Sequence, residues 1–188
     1  MIDAPLFLNK THASMKSILT IFFLFAITTL LNAQPPHPRQ SPISVSAVSV
    51  DGAYMKVVYG APYIKEREIF GKLVPFGQVW RTGANEATEI TFTKDVVFGG
   101  AAVAAGTYSV FSVPGESEWQ IILNKDLGMW GGYTYKDSQD LVRVKGTVST
   151  LAESVDPMRI QLKNNDGVVS FIVSWDKTSV TVPITVKK

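Results

Sequence analysis

The sequence predicts an all-β fold: a single antiparallel β-sandwich, with jelly-roll-like connections as one form of it, following an amino-terminal signal peptide. Three observations predict it. Apolar and polar residues alternate with period two in segment after segment, and no helical period is sustained for three turns. Turn-forming residues recur roughly every 8–12 positions. The pattern gives about nine or ten short strands in one domain over residues 43–186.

The amino terminus precedes the strands. Ile18 to Leu31 reads ILTIFFLFAITTLL and carries no charge. Lys16 stands before it and Asn32-Ala33-Gln34 after it. A basic residue, an apolar run and a small residue before a polar one form a secretory signal. The run is shorter than the ~20 residues of a membrane span. Residues 1–33 are therefore expected to be a signal peptide, with Met15 the start that suits it, and the mature protein is expected in the periplasm or outside the cell. An uncleaved anchor is the alternative. Residues 34–42 read QPPHPRQSP, and four prolines there exclude helix and central strand. This segment is expected to be a tether.

Ser44 to Val50 alternates small polar and apolar residues, and Asp51-Gly52 supplies a tight hairpin turn before Tyr54 to Tyr59. Gly60 to Gln78 is broken by Gly60, Pro62, Gly71, Pro75 and Gly77, so it reads as a long loop. Ile69, Phe70, Leu73, Val74 and Phe76 are its expected apolar anchors, and one helical turn near Ile64 to Phe70 is compatible with its spacing. Thr88, Ile90 and Phe92 share one face of the next strand. Val96 to Phe98 leads through Gly99-Gly100 into a weak strand at Ala101 to Ala105. Thr107 to Val113 is aromatic-rich, and Trp119, Ile121 and Leu123 alternate with Gln120, Ile122 and Asn124.

Asn124 to Asp140 is a second long loop, with three glycines and the aromatics Trp130, Tyr133 and Tyr135. Leu141 to Val148 and Met158 to Lys163 read as two further strands. Asn165-Asp166-Gly167 signals a hairpin. Val169, Phe171, Val173 and Trp175 form an apolar stripe, Asp176-Lys177-Thr178 reads as a turn, and Val180 to Val186 closes the chain. Pro183 marks this last strand as an edge, or as one whose missing donor faces away from the ladder.

Composition excludes several chemistries. Lys and Arg number 18 against 16 Asp and Glu, a formal charge of +2, and the basic residues are scattered. Nucleic-acid binding, which needs a clustered basic patch, is not expected. The chain has no cysteine, so disulfides, thiol catalysis and thiolate metal sites are excluded. No histidine follows His37, which removes Ser-His-Asp mechanisms and histidine-ligated metals from the domain. Gly99-Gly100 and Gly131-Gly132 lack the Lys-Ser/Thr of a phosphate-cradling loop. No cofactor or resident metal is expected, and no membrane contact after signal cleavage.

The densest set of chemically able side chains is Val79 to Ile90. It joins the long loop to a clear strand. Arg81 reads either as a guanidinium paired with Glu86 or Glu89, or as a fork for an anionic or polyhydroxylated ligand. Asn85 either caps a turn through its own backbone or contacts a ligand. Thr82 is a turn former, and Trp80 is a core residue or a platform. Trp130 and its neighbouring tyrosines stack on a flat ligand or fold back over the sandwich. Glu86 and Glu89 face opposite sides if both lie in the strand. They therefore need a partner from elsewhere to act as an acid/base pair.

The same residues carry a resemblance. Tyr59-Gly60-Ala61-Pro62 and the run from Ile69 to Thr88 resemble the signature of a secreted bacterial family, domain of unknown function 2911. Gly106-Thr107-Tyr108-Ser109, Trp119 to Asn124, Trp130-Gly131 and Ser174-Trp175-Asp176-Lys177 are similar to its later blocks. The resemblance spans roughly residues 42–186, and Ala61 departs from it where a larger, often basic residue is expected. It implies export and an all-β fold, and brings no activity. The leading expectation is a small polar or carbohydrate-like ligand bound at one end of the sandwich by Tyr59, Arg67, Trp80, Arg81, Thr82, Asn85, Glu86 and Trp130. A non-catalytic envelope or protein-interaction module and a carboxylate-dependent glycoside hydrolase are the alternatives.

Overall fold

The computed structural model describes residues 39–187. The expected signal peptide, its start at Met15, most of the tether and His37 lie outside them. Nine strands form one antiparallel sheet: β1 (Ile43–Val50), β2 (Ala53–Gly60), β3 (Thr88–Phe92), β4 (Val96–Phe98), β5 (Ala101–Val103), β6 (Gly106–Val113), β7 (Trp119–Asn124), β8 (Asp140–Asn165) and β9 (Val168–Val186). Their order is β1-β2-β3-β6-β7-β8-β9-β4-β5. The chain is all-β, as its alternation predicts. Three hairpins turn on the expected pairs Asp51-Gly52, Gly99-Gly100 and Asp166-Gly167, each with both residues at positive φ. That geometry matches the right-handed twist of the flanking strands.

The last two strands are longer than the sequence pattern suggests. Leu141 to Val148 and Met158 to Lys163, expected as separate strands, are parts of the single strand β8. Asp176-Lys177-Thr178, expected as a turn, lies inside β9. Asp176 does take a left-handed φ of 50°, but the result is an irregularity in a continuous ladder. The β8–β9 register shifts on either side of Val155, which pairs with Asp176. A bulge absorbs the extra residues and bends the strands without reversing them.

β8 changes partners along its length. Asp140 to Gly146 pairs with β7, and Thr147 to Asn165 pairs with β9. Gly146 sits at this corner, where a Cβ would lie 2.5 Å from Val180 Cγ1. β9 in turn pairs with β4 from Ile184 to Val186. Pro183 falls beyond the β8 ladder, and its carbonyl accepts from Gly99 N–H at 2.8 Å. Gly99 begins the turn that ends the β4 ladder, so the donor Pro183 lacks is not called for there.

The two faces expected of a sandwich are halves of one sheet that share a core. Met55, Ile90 and Ile121 from one half and Ile160, Phe171 and Val182 from the other belong to one buried cluster. Each such side chain stabilises the fold by about 1.5–3 kcal/mol on burial. Across the gap, Leu162 N–H donates to Ser46 Oγ at 2.9 Å. The outer face of β6 and β7 carries a smaller cluster. Phe111 and Ile122 are covered there by Ala87, Met129 and Tyr135, the last two from the loop after β7.

The long loop after β2 contains no helical turn. Lys65 and Glu66 both have positive φ, 48° and 59°, which a right-handed helix excludes. Ile69 and Val74 are buried, and Phe70 packs against the core. Leu73 and Phe76, expected as anchors, are exposed.

Candidate functional site

An open cleft of about 670 Å³ enters the molecule at the end where β1 begins, β2 ends and β3 begins. Its floor is indole. Trp80 and Trp175 stack with ring centroids 5.9 Å apart and 17° between planes. Phe70 and Trp119 back them edge-on, 4.8 Å from each other. Both floor indoles are nearly closed to solvent, at 9% and 2% exposure, so they belong to the core and to the cleft at once.

The segment from Trp80 to Thr88 makes one wall. Trp80 and Ser112 exchange backbone hydrogen bonds of 2.8 Å, which pins the segment's start to β6. Trp80 Nε1 donates to Gly83 O at 3.1 Å and closes the turn. Two non-glycine residues in it are left-handed, Thr82 at φ 53° and Asn85 at φ 64°. Asn tolerates this backbone. A β-branched Thr does not, and such a residue costs about 1–3 kcal/mol unless its surroundings over-determine it. Here they do: Thr82 Oγ1 meets Ser112 Oγ at 2.9 Å, and Thr88 Oγ1 donates to Thr82 O at 2.7 Å. Close approach to β2 adds to the constraint. Ala84 N–H donates to Gly60 O at 3.1 Å, and a Cβ on Gly60 would sit 2.1 Å from Ala84 O.

Two further segments complete the cleft. The loop after β7 pairs with the Trp80 segment, since Ala87 N–H donates to Met129 O at 2.8 Å and Gly131 N–H to Asn85 O at 3.0 Å. This pairing sets Trp130 beside Glu86 and leaves the residue 61% exposed. The residues before β1 line it too. Arg39 forms an ion pair with Glu86, Lys65 Nζ donates to Gln40 Oε1 at 3.0 Å, and Asn85 Nδ2 donates to Ser41 O at 3.4 Å. The end of the expected tether is therefore part of the wall.

Six of the residues singled out in the sequence line this cleft: Arg67, Trp80, Arg81, Asn85, Glu86 and Trp130. Two do not. Tyr59 faces the core at 6% exposure and borders a separate groove of about 240 Å³. Thr82 is fully buried, with its hydroxyl spent on Ser112. Arg81 pairs with neither of the carboxylates considered for it. Glu86 is held by Arg39, and Glu89 Oε1 accepts from Gly128 N–H at 2.9 Å. Arg81 forms no salt bridge among the described residues, and its Nε is buried without a hydrogen-bond partner. Burial holds its guanidinium below the ordinary pKa, with the Tyr133 phenol acting in the opposite sense. Glu86 is shifted down, first by the hydrogen bond from Arg39 and then by one within its own backbone.

Sequence reasoning missed Arg39, Gln40, Tyr63, Lys65 and Leu73, and placed Trp175 in the core alone. Tyr63 carried a usable signal, an aromatic in a proline- and glycine-broken loop. Among the described residues no three His, Cys, Asp or Glu side chains converge as metal ligands.

Residues 41–184 match the model of a family described as a protein of unknown function, DUF2911. The chain belongs to the DUF2911 family. The matched span takes in the Trp80 segment, both long loops and Trp175, so the DUF2911 domain contains all of the cleft except Arg39 and Gln40. No curated protein and no solved structure matches it.

Proposed function

We propose that this DUF2911 protein is an exported receptor that binds a small polar or carbohydrate-like ligand in the cleft over Trp80 and Trp175. The observation that carries the reading is the composition of that cleft: two nearly buried indoles at its base and a rim of polar and charged side chains that includes the exposed Trp130. Small-molecule sites are mostly apolar concavities of roughly 300–1,000 Å³ with a few placed polar groups. The cleft volume lies in that range. Sugars present flat apolar faces edged with hydroxyls, which suits an aromatic surface with hydrogen-bonding neighbours. Trp130, exposed at the rim, supplies the accessible flat face.

The hydrolase alternative draws no support from the geometry. Among the described residues Glu86 is the one carboxylate lining the cleft, whereas glycoside hydrolysis uses two. Its downward pKa shift also runs against a general acid, which needs a raised one. Titration calorimetry against a panel of glycans and polar metabolites tests the receptor reading. Saturable binding is expected, weakened roughly three- to tenfold by Trp130→Ala through loss of aromatic contact. Absence of any saturable ligand, with a stoichiometric protein partner recovered from the exporting cell, would favour the interaction-module reading.

A further inference from the structure

We infer that the ligand of this cleft is anionic, and that Arg81 receives its carboxylate or phosphate oxygens. The inference rests on the receptor reading and narrows it to acidic ligands. Its first support is charge. The chain as a whole carries only +2. Among the described residues the cleft gathers four cationic side chains, Arg39, Lys65, Arg67 and Arg81, against the single carboxylate Glu86. Arg39 takes up that carboxylate. The positive charge left over, on Lys65, Arg67 and Arg81, surrounds a cavity whose low-dielectric indoles limit screening.

The second support is independent of charge. Among the described residues, two buried side-chain nitrogen or oxygen atoms have no hydrogen-bond partner in the protein: Arg81 Nε and Trp175 Nε1. Both are donors, and both residues line this cleft. A buried donor left unpaired costs about 1–3 kcal/mol, so native folds rarely leave one without a use. Two unpaired donors on residues that line one cavity favour a ligand rich in acceptors. A carboxylate or phosphate presents acceptor oxygens only, and a guanidinium receives them through parallel N–H bonds.

The other cations are committed differently. Arg67 spends Nε on Ile64 O at 2.9 Å and Nη2 on Tyr63 O at 2.6 Å, which fixes its charge at the rim. Lys65 holds Gln40. Arg81 alone of the four makes no ion pair and donates no side-chain hydrogen bond within the described structure. Its Nη1 lies near Gly131, so the guanidinium reaches from the Trp80 wall to the Trp130 loop.

The probes are glucose, glucuronate and glucose 6-phosphate, titrated into the purified protein by calorimetry at low and moderate salt. At least one acidic sugar is expected to bind ten times or more tighter than glucose, and to weaken as salt rises. Arg81→Gln is expected to weaken the acidic sugar roughly tenfold to a hundredfold, the effect of a hydrogen-bonded charge. Its effect on glucose is expected to be several-fold smaller than its effect on the acidic sugar. Arg81→Lys, which keeps the charge and loses the planar fork, should fall between. The salt series on the unaltered protein discriminates the outcomes even if a variant fails to fold. Glucose binding as tightly as both acidic sugars, with no salt dependence, overturns the anion assignment and leaves the receptor reading standing. Failure of all three probes to bind overturns the assignment, and the wider panel then decides the receptor reading separately.

Discussion

Glu86 shows at residue scale how the cleft is assembled. Its carboxylate draws Arg39 in, and with Arg39 come Gln40 and Ser41. Because the Arg39 hydrogen bond lowers the Glu86 pKa, the folded state binds this proton less readily than the unfolded chain does. The stabilisation is therefore complete above the unfolded carboxylate value of about 4.3, and is lost as pH falls through the lower folded value. Glu86 is half exposed, so the pair contributes little to global stability. A double-mutant cycle of Arg39→Ala and Glu86→Gln should give a small coupling at pH 7 that disappears below the folded pKa. Coupling that persists in acid would mean that the segment before β1 is held by something else. Arg81 makes the opposite point. Its type and position in the sequence suit both an ion pair and a ligand fork. Only the geometry separates them, by giving Glu86 to Arg39 and Glu89 to Gly128 N–H.

At the scale of elements, the loop after β7 decides where Trp130 stands. Tyr135 folds down onto Phe111, with ring centroids 4.8 Å apart, while Trp130 and Tyr133 point outward. Folding back over the sheet thus applies to Tyr135 alone of the three, and Trp130 and Tyr133 stay exposed. Asp140 ties the loop's end. It accepts from Tyr135 OH at 2.6 Å, Arg143 Nε at 2.7 Å and Asn124 Nδ2 at 2.8 Å, and its side chain is nearly buried. Burial and the Asp140 hydrogen bond both raise the Tyr135 pKa, so the phenol stays a donor throughout the neutral range. Asp140→Ala should lower the unfolding free energy by about 1–3 kcal/mol by leaving buried donors unpaired. It should also speed amide exchange in residues 125–139 more than in β2 or β3. Uniform exchange across the chain would show that Asp140 does not act through this loop.

Much of the whole molecule is legible in its sequence. Inward-facing positions recur every second residue because the pleat requires it, and Asp-Gly or Gly-Gly pairs mark three hairpins because few other residues take two left-handed steps. The merging of β8 and of β9 is not legible, because a residue such as Asp176 has the same local chemistry in a bulge as in a turn. Only its pairing with Val155 distinguishes them. The cleft is half legible for a similar reason. Arg81, Asn85 and Glu86 stand out by density within one segment, but Arg39 and Trp175 reach the cleft through tertiary contacts no local window contains. Composition also conceals the field at the site. A chain of charge +2 places four of its cations around one cavity.

The most direct test of the account is to follow the Arg81 Nε–H and Trp175 Nε1–H signals by nitrogen-resolved NMR while an acidic sugar that binds is added. Both signals are expected to move saturably and together, with the Trp119 indole signal shifting less. Binding that leaves both signals in place while other parts of the protein respond would contradict the account.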